Sequence, residues 1–348
     1  MHIDLFCQVV DNYGDIGVCW RLAQQLQPHC QLRLFVDDLE AFQRIEPNVN
    51  PNAPVQQIQN TQVLEWAGAL TTQPATIVIE AFGCELPPAY LAQLPLYTKL
   101  WINLEYLSAE SWVENMHTLP SPQGNGVSKY FFFPGFTPKT GGLLRPQKKT
   151  STQLDIRFWQ QLGLNQAPTT DRVAFVFPYP QAPLNTLYQC LEKDTHSWTV
   201  LLAATAPTPQ LPSTSTLHIH QLPFIAQAQF DSLLDYADLN LVRGEDSFVR
   251  AIWAQKPFIW QPYLQTENTH LEKLRAWLAR THFDTTTQAL ILHWNTGTVT
   301  TSELQLALQN LDSWCLQTEH YAQSLSQQTD LATQLLAFCS QTVQKTVK

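Results

Sequence analysis

Arg243-Gly244-Glu245-Asp246-Ser247 stands between an apolar run, Asp238 to Val242, and a stretch that puts Phe248, Ile252 and Trp253 on one side of a helix. A strand that ends in a glycine-bearing polar turn and hands over to a helix gathers backbone N–H groups and the positive helix end at the strand's carboxyl end, which makes an anion site. The chain opens in the same way. Ile3 to Val10 reads as a strand, Asp11-Asn12-Tyr13-Gly14-Asp15-Ile16-Gly17 as a loop, and Val18, Leu22 and Leu26 as one face of the following helix. One acidic loop and one anion-binding loop on separate α/β units suggest a two-domain transferase.

Outward from these two loops, short apolar runs alternate with helical patterns. Ile3–Val10, Gln31–Val36, Thr76–Ala81, Lys99–Leu104 and Tyr130–Phe133 are the strand candidates of the first half. Arg172–Phe177, Trp198–Ala203, Leu217–Leu222, Leu239–Val242 and Pro257–Trp260 are those of the second, with helices expected at Pro183–Lys193, Ala226–Tyr236, Ser247–Gln255 and Glu267–Arg280. Such alternation predicts parallel sheets covered by helices. The predicted organisation is an N-terminal Rossmann-like domain over residues 1–155 and a C-terminal one over 156–348. The helices after residue 300 are free to pack back on the first domain. Phe133 to Lys149, rich in Pro, Gly and cations, reads as a connector or a functional loop, and Thr205 to Thr216 as a surface loop.

Composition narrows the function classes. At 348 residues, 44% hydrophobic and 11% aromatic, the chain has apolar material for two cores. Its 20 basic and 29 acidic residues give a net charge of −9 with no Lys/Arg stripe, which argues against a nucleic-acid partner. The seven cysteines, at 7, 19, 30, 84, 190, 315 and 339, form no C-x-x-C pair and read as reduced core residues. No apolar stretch reaches the roughly 18 residues that span a bilayer, so a soluble, cytoplasmic protein without membrane partners is expected. G-x-S-x-G, G-x-G-x-x-G and Walker A sequences are missing, and His218 and His220 lack a third ligand at zinc spacing, so no metal site is expected.

Two Rossmann-like domains facing a central cleft form the architecture of GT-B glycosyltransferases, and the second half carries segments in the order of a GT-B nucleotide-sugar site. Leu222-Pro223-Phe224 precedes a helix, then come Tyr236-Ala237-Asp238, the Arg243–Ser247 loop and Gln261-Pro262. More narrowly, FCQVVDNYGDIGVCWRLAQQL from Phe6, FFFPGFTPKTGGLLR from Phe131 and DLNLVRGEDSFVRAIWAQKPFIWQPY from Asp238 resemble the bacterial protein-arginine rhamnosyltransferases that modify elongation factor P. The resemblance runs from Phe6 to about Leu278. It is weakest in Pro47–Gln73, Lys148–Asp171 and the C-terminal tail. It implies an inverting GT-B enzyme that moves L-rhamnose from dTDP-β-L-rhamnose to an arginine guanidinium without a metal or other cofactor.

On that resemblance Asp15 is the general base and Asp11 orients it or the acceptor. Carboxylates suit the task. A guanidinium has a pKa above about 12 and a delocalised lone pair, so it attacks poorly until it is held and relieved of a proton. A carboxylate of ordinary pKa, about 3.9, can take that proton only as the C–N bond forms. Gly14 and Gly17 allow close approach to the backbone, and Gly17 is counted with the donor contacts. The plainer reading of Asp11 and Asp15 is helix capping.

The resemblance further implies that Glu245 reaches the deoxyribose, that Asp246 and Ser247 hold the diphosphate, and that Phe177, Tyr179 and Phe224 meet the thymine and its diphosphate. Arg243 and Gln261 complete the donor set. An ordinary N-cap and core phenylalanines are the plainer alternatives. For function, the alternatives are a transferase or epimerase using another nucleotide sugar, or a nucleotide-sugar-binding regulator without catalysis.

Overall fold

The computed structural model describes residues 1–10, 13–146, 154–204 and 216–345, and all structural statements concern these. The chain divides into two compact units: Met1–Gln147 together with Gln327–Lys348, and Lys148–Ser326.

In the first unit, the described strands are β1 (His2–Cys7), β2 (Gln31–Val36), β3 (Val55–Ile58), β4 (Thr61–Glu65), β5 (Ile77–Ala81), β6 (Leu100–Leu104), β7 (Pro120–Ser121) and β8 (Lys129–Phe132). They form one sheet in the order β3-β4-β2-β1-β5-β6-β8-β7. The six strands from β4 to β8 in that order run parallel, and β3 and β7 pair antiparallel at the edges. The order steps outward from β1 in both directions, so the sheet reverses winding beside β1, where open α/β sheets place ligands outside the strands' carboxyl ends. The strands are apolar because both faces are covered. On one face Phe6 stacks on Phe35 with ring centroids 4.4 Å apart, inside a cluster with Leu64, Val78, Tyr90 and Trp101. Each such ring or large aliphatic side chain contributes about 1.5–3 kcal/mol on burial.

The second unit contains β9 (Arg172–Val176), β10 (Trp198–Leu202), β11 (Leu217–Gln221), β12 (Leu239–Arg243) and β13 (Phe258–Gln261), all parallel in the order β11-β10-β9-β12-β13. Phe248 lies flat on Trp260, centroids 3.8 Å apart, and the Trp277 edge meets both rings. This aromatic stack pins the helix Asp246–Ala254 to β13 one residue after Ser247.

Two features depart from the sequence expectations. The hairpin of β3 and β4 falls in a segment assigned no strand. The boundary also differs, the first stretch of the first unit ending at Gln147 rather than 155; of the helices left free to pack back, the last, Leu331–Lys345, lies with the first unit, contacting the helix Gly14–Leu26 and β6. The glycine-rich stretch expected as connector or loop receives this returning chain. Leu331 N donates to Leu143 O at 3.0 Å, Gln328 Nε2 to Phe136 O at 2.8 Å, and Arg145 to Gln328 O. Gly142 has φ of +75°, and a Cβ there would stand 2.4 Å from Thr329 O, so glycine is required on both counts. The expected surface loop at 205–216 lies outside the described residues except for Thr216, as does the 147–153 part of the expected connector.

Candidate active site

β1 ends at Cys7, short of the expected Val10, because the next amides bond to carboxylates rather than to a neighbouring strand. Val9 N donates to Asp37 Oδ1 and Val10 N to Asp15 Oδ2, each at 2.8 Å. Asp15 sits in the first turn of the helix Gly14–Leu26, whose N-cap is Tyr13, and is 4% exposed. Its carboxylate accepts from Val10 N, which ties the helix start to the residue that follows the end of β1 by three positions. Asp11 lies outside the described residues. Gly17 donates its N–H to Tyr13 O at 3.0 Å as part of the same helix.

Asp37, at the carboxyl end of β2, was not singled out in the sequence, where an Asp after a strand is an ordinary terminator. Burial raises its carboxyl pKa above the usual value, opposed by the amide bonds from Val9 and its own turn. Burial pushes the nearby Cys7 thiol well up, with Cys19 and Asp15 adding to it. All seven cysteines are free, five of them buried.

In the second unit, the loop at the end of β12 is held from three sides. Gly244, at φ +63°, donates to Gln261 O at 3.0 Å, and its carbonyl accepts from Trp260 Nε1 at 2.7 Å. Ser247 Oγ donates to Arg243 O and accepts from Arg243 N at 3.1 Å. Gln261 Oε1 accepts from Tyr179 N at 2.9 Å, which ties the segment after β9 to β13. Glu245 is the N-cap residue of the helix, and Asp246 lies in its first turn. Arg250 is buried among acceptors, with Nε at 2.7 Å from Asp231, Nη1 at 3.4 Å from Asp246 and Nη2 at 2.7 Å from Gln227 O. The Asp246 carboxylate is thereby paired to a cation.

Phe177, Tyr179, Arg243, Glu245, Asp246, Ser247 and Gln261 thus converge at the carboxyl ends of β9, β12 and β13. One feature was not foreseen. The Arg243 guanidinium lies over both Phe177 and Tyr179, 4.4 and 4.9 Å from their centroids, and donates to Pro178 O at 3.2 Å. A cation on an aromatic face is a favourable contact, and it occupies faces expected to meet a base. Phe224, half-buried, lies on the separate segment between β11 and the helix Gln227–Tyr236. His218 and His220 are on the edge strand β11, and no group of three or more His, Cys, Asp or Glu is placed to hold a metal among the described residues. No described helix is long and apolar enough to cross a membrane.

Two Rossmann-type sheets, each with polar loops at the carboxyl ends of its central strands, define the α/β architecture of GT-B glycosyltransferases. Solved structures agree: that of EarP, from work on EarP-mediated arginine glycosylation of translation elongation factor EF-P, matches with a TM-score of 0.64 at 27% identity over 98% of this chain and 99% of that one. The spinosyn rhamnosyltransferase SpnG shares the fold, with a TM-score of 0.57 at 9% identity over 97% and 100% of the two chains. Among sequences, the protein-arginine rhamnosyltransferase of Pseudomonas putida is 43% identical, covering 79% of this chain and 80% of its own length. That of Pseudomonas aeruginosa is 38% identical over 96% and 98%. The profile of the elongation factor P (EF-P) rhamnosyltransferase family EarP matches residues 3–340. The chain belongs to this family of protein-arginine rhamnosyltransferases.

Proposed function

We propose that this protein transfers L-rhamnose from dTDP-β-L-rhamnose to a guanidinium nitrogen of one arginine of EF-P, with inversion at the sugar carbon and without a metal. The observation that carries the reading is the buried Asp15 carboxylate, anchored by Val10 N at the end of β1, in a chain whose second unit presents the Arg243–Ser247 loop at a helix N-terminus. The nitrogen lone pair forms the bond to the anomeric carbon as the bond to the diphosphate oxygen breaks, dTDP leaves, and the proton released from nitrogen passes to Asp15. A fixed carboxylate takes the proton late, when C–N bonding has lowered the nitrogen's basicity. Charge on the departing diphosphate meets the N–H groups of the Asp246–Ala254 helix end, already oriented before reaction. Asp11 holds the acceptor. Thymine binding then requires Arg243 to leave the Phe177 and Tyr179 faces, where a base gains about 1–3 kcal/mol of stacking while the freed guanidinium can turn to the diphosphate.

Mass spectrometry of EF-P incubated with the protein and dTDP-rhamnose tests the reading. A gain of one deoxyhexose on a single arginine is expected, and an unchanged mass with active donor and acceptor overturns it. Glu245→Ala and Ser247→Ala are each expected to weaken dTDP binding roughly tenfold to hundredfold, the effect of one lost hydrogen bond to a charged group. Calorimetric titration with dTDP measures this; unchanged affinity in both variants moves the donor site elsewhere.

A further inference from the structure

Arg250 is a buried cation to which the proposed transfer gives no task. It lies one turn after Asp246 on the helix Asp246–Ala254, and its side chain is 6% exposed. A cation withdrawn from water is costly unless it is paired, and apolar side chains of similar volume hold two helices together at least as well. A charge kept at such a place therefore points to an electrostatic role.

The pairing is unequal. Asp231, on the helix Gln227–Tyr236, is the nearer partner, with Oδ1 at 2.7 Å from Nε, but its side chain is 41% exposed and water screens it. Asp246 Oδ2 stands 3.4 Å from Nη1 with its side chain only 13% exposed. Little water offsets that charge, and the guanidinium is a close counter-charge for it. Gln227 O, at 2.7 Å from Nη2, fixes the remaining edge of the planar fork. The guanidinium also lies over the Phe230 ring, 5.2 Å from its centroid, and Phe230 meets Phe177 nearly at right angles, centroids 5.4 Å apart. Arg250 thus braces the first turn of the helix and, through Phe230, one ring of the proposed base site.

Its position gives the charge a meaning. Helix N-termini draw anions, yet a carboxylate in the same turn repels a diphosphate. The Arg243–Ser247 loop carries two carboxylates, Glu245 and Asp246, against one cation, Arg243. Arg250 supplies the second.

We infer that Arg250 is a positioning residue for the nucleotide donor, the internal counter-charge that neutralises Asp246 so that the helix end can accept a diphosphate. This rests on the reading that the donor diphosphate meets the Arg243–Ser247 loop. Arg250 acts through Asp246 rather than by touching the ligand. The same counter-charge favours departure of dTDP, because negative charge grows on the diphosphate as the bond to the sugar breaks.

The test uses the full-length protein and dTDP in titration calorimetry, with thermal unfolding to check folding. Arg250→Gln, which keeps hydrogen-bonding capacity and removes the charge, is expected to weaken dTDP binding roughly tenfold to hundredfold. Arg250→Lys keeps the charge without the fork and is expected to stay within about threefold of wild type. The double variant Asp246→Asn/Arg250→Gln removes both charges and is expected to recover to within about fivefold, since no carboxylate is left there to repel the diphosphate. A packing role alone predicts the reverse: lysine as damaging as glutamine, and no recovery in the double variant. Wild-type dTDP affinity in Arg250→Gln overturns the inference. So does a folded Arg250→Lys as weak as Arg250→Gln, or a double variant that remains about tenfold weaker than wild type or worse. If Arg250→Gln does not fold, the lysine and double variants decide by the same limits. Failure of the wild-type protein to bind dTDP overturns the donor-site reading itself.

Discussion

Asp15→Asn is expected to lower single-turnover transfer at least about 100-fold, close to 3 kcal/mol of transition-state stabilisation, while dTDP affinity stays within about twofold. The substitution isolates the proton acceptor. An amide oxygen at this position can still accept from Val10 N, a 2.8 Å bond in the wild type, so the backbone of the strand end is retained. What disappears is a group able to take the proton from the attacking nitrogen. Rapid quench followed by mass analysis of EF-P is the measurement. Turnover within a few-fold of wild type would show that the carboxylate only closes the loop.

Asp4→Ala is expected to cost about 3–5 kcal/mol of stability, the range for removing one partner from a buried ion pair. Asp4 is fully buried in β1 and accepts from Arg33 through both oxygens, at 2.5 and 2.7 Å, from Ala75 N at 2.8 Å and from the Tyr90 hydroxyl. Burial, and next the Asp4 charge, push the Tyr90 pKa well above its ordinary value, so the hydroxyl remains a donor. Removing the carboxylate leaves a guanidinium, an amide and a phenol without their shared acceptor. Urea unfolding followed by tryptophan fluorescence reads the loss, and a change below about 1 kcal/mol would contradict this account of the β1–β2 pair.

How far the chain was readable depended on whether a feature is local. Parallel strands such as Gln31–Val36 and Leu100–Leu104 announce themselves as apolar runs because both faces of the sheet are covered. The β3–β4 hairpin does not: most of β3 faces water, and its turn places Gln59 at φ of +53° where the usual glycine or asparagine signal would stand. The Arg243–Ser247 turn was legible because strand, turn and helix are adjacent in sequence. Side-chain direction was hidden. Nothing in the order Phe177, Pro178, Tyr179 and, far downstream, Arg243 indicates that the guanidinium covers the two rings. Asp37 was hidden for the same reason, since its role lies in a bond to Val9, 28 positions away. The return of the last helix depends on Gly142 and Thr329, which only the folded chain brings together.

That return sets the order in which the molecule can be completed on the ribosome. The unit carrying Asp15 combines Met1–Gln147 with Gln327–Lys348, so its last helix becomes available only after the whole of Lys148–Ser326 has been synthesised. The intervening unit can fold while the earlier one still lacks the segment that meets Leu143 and Arg145. Changes that disturb residues after Gln327 will therefore be felt beside the Gly14–Leu26 helix, some three hundred positions earlier in the sequence.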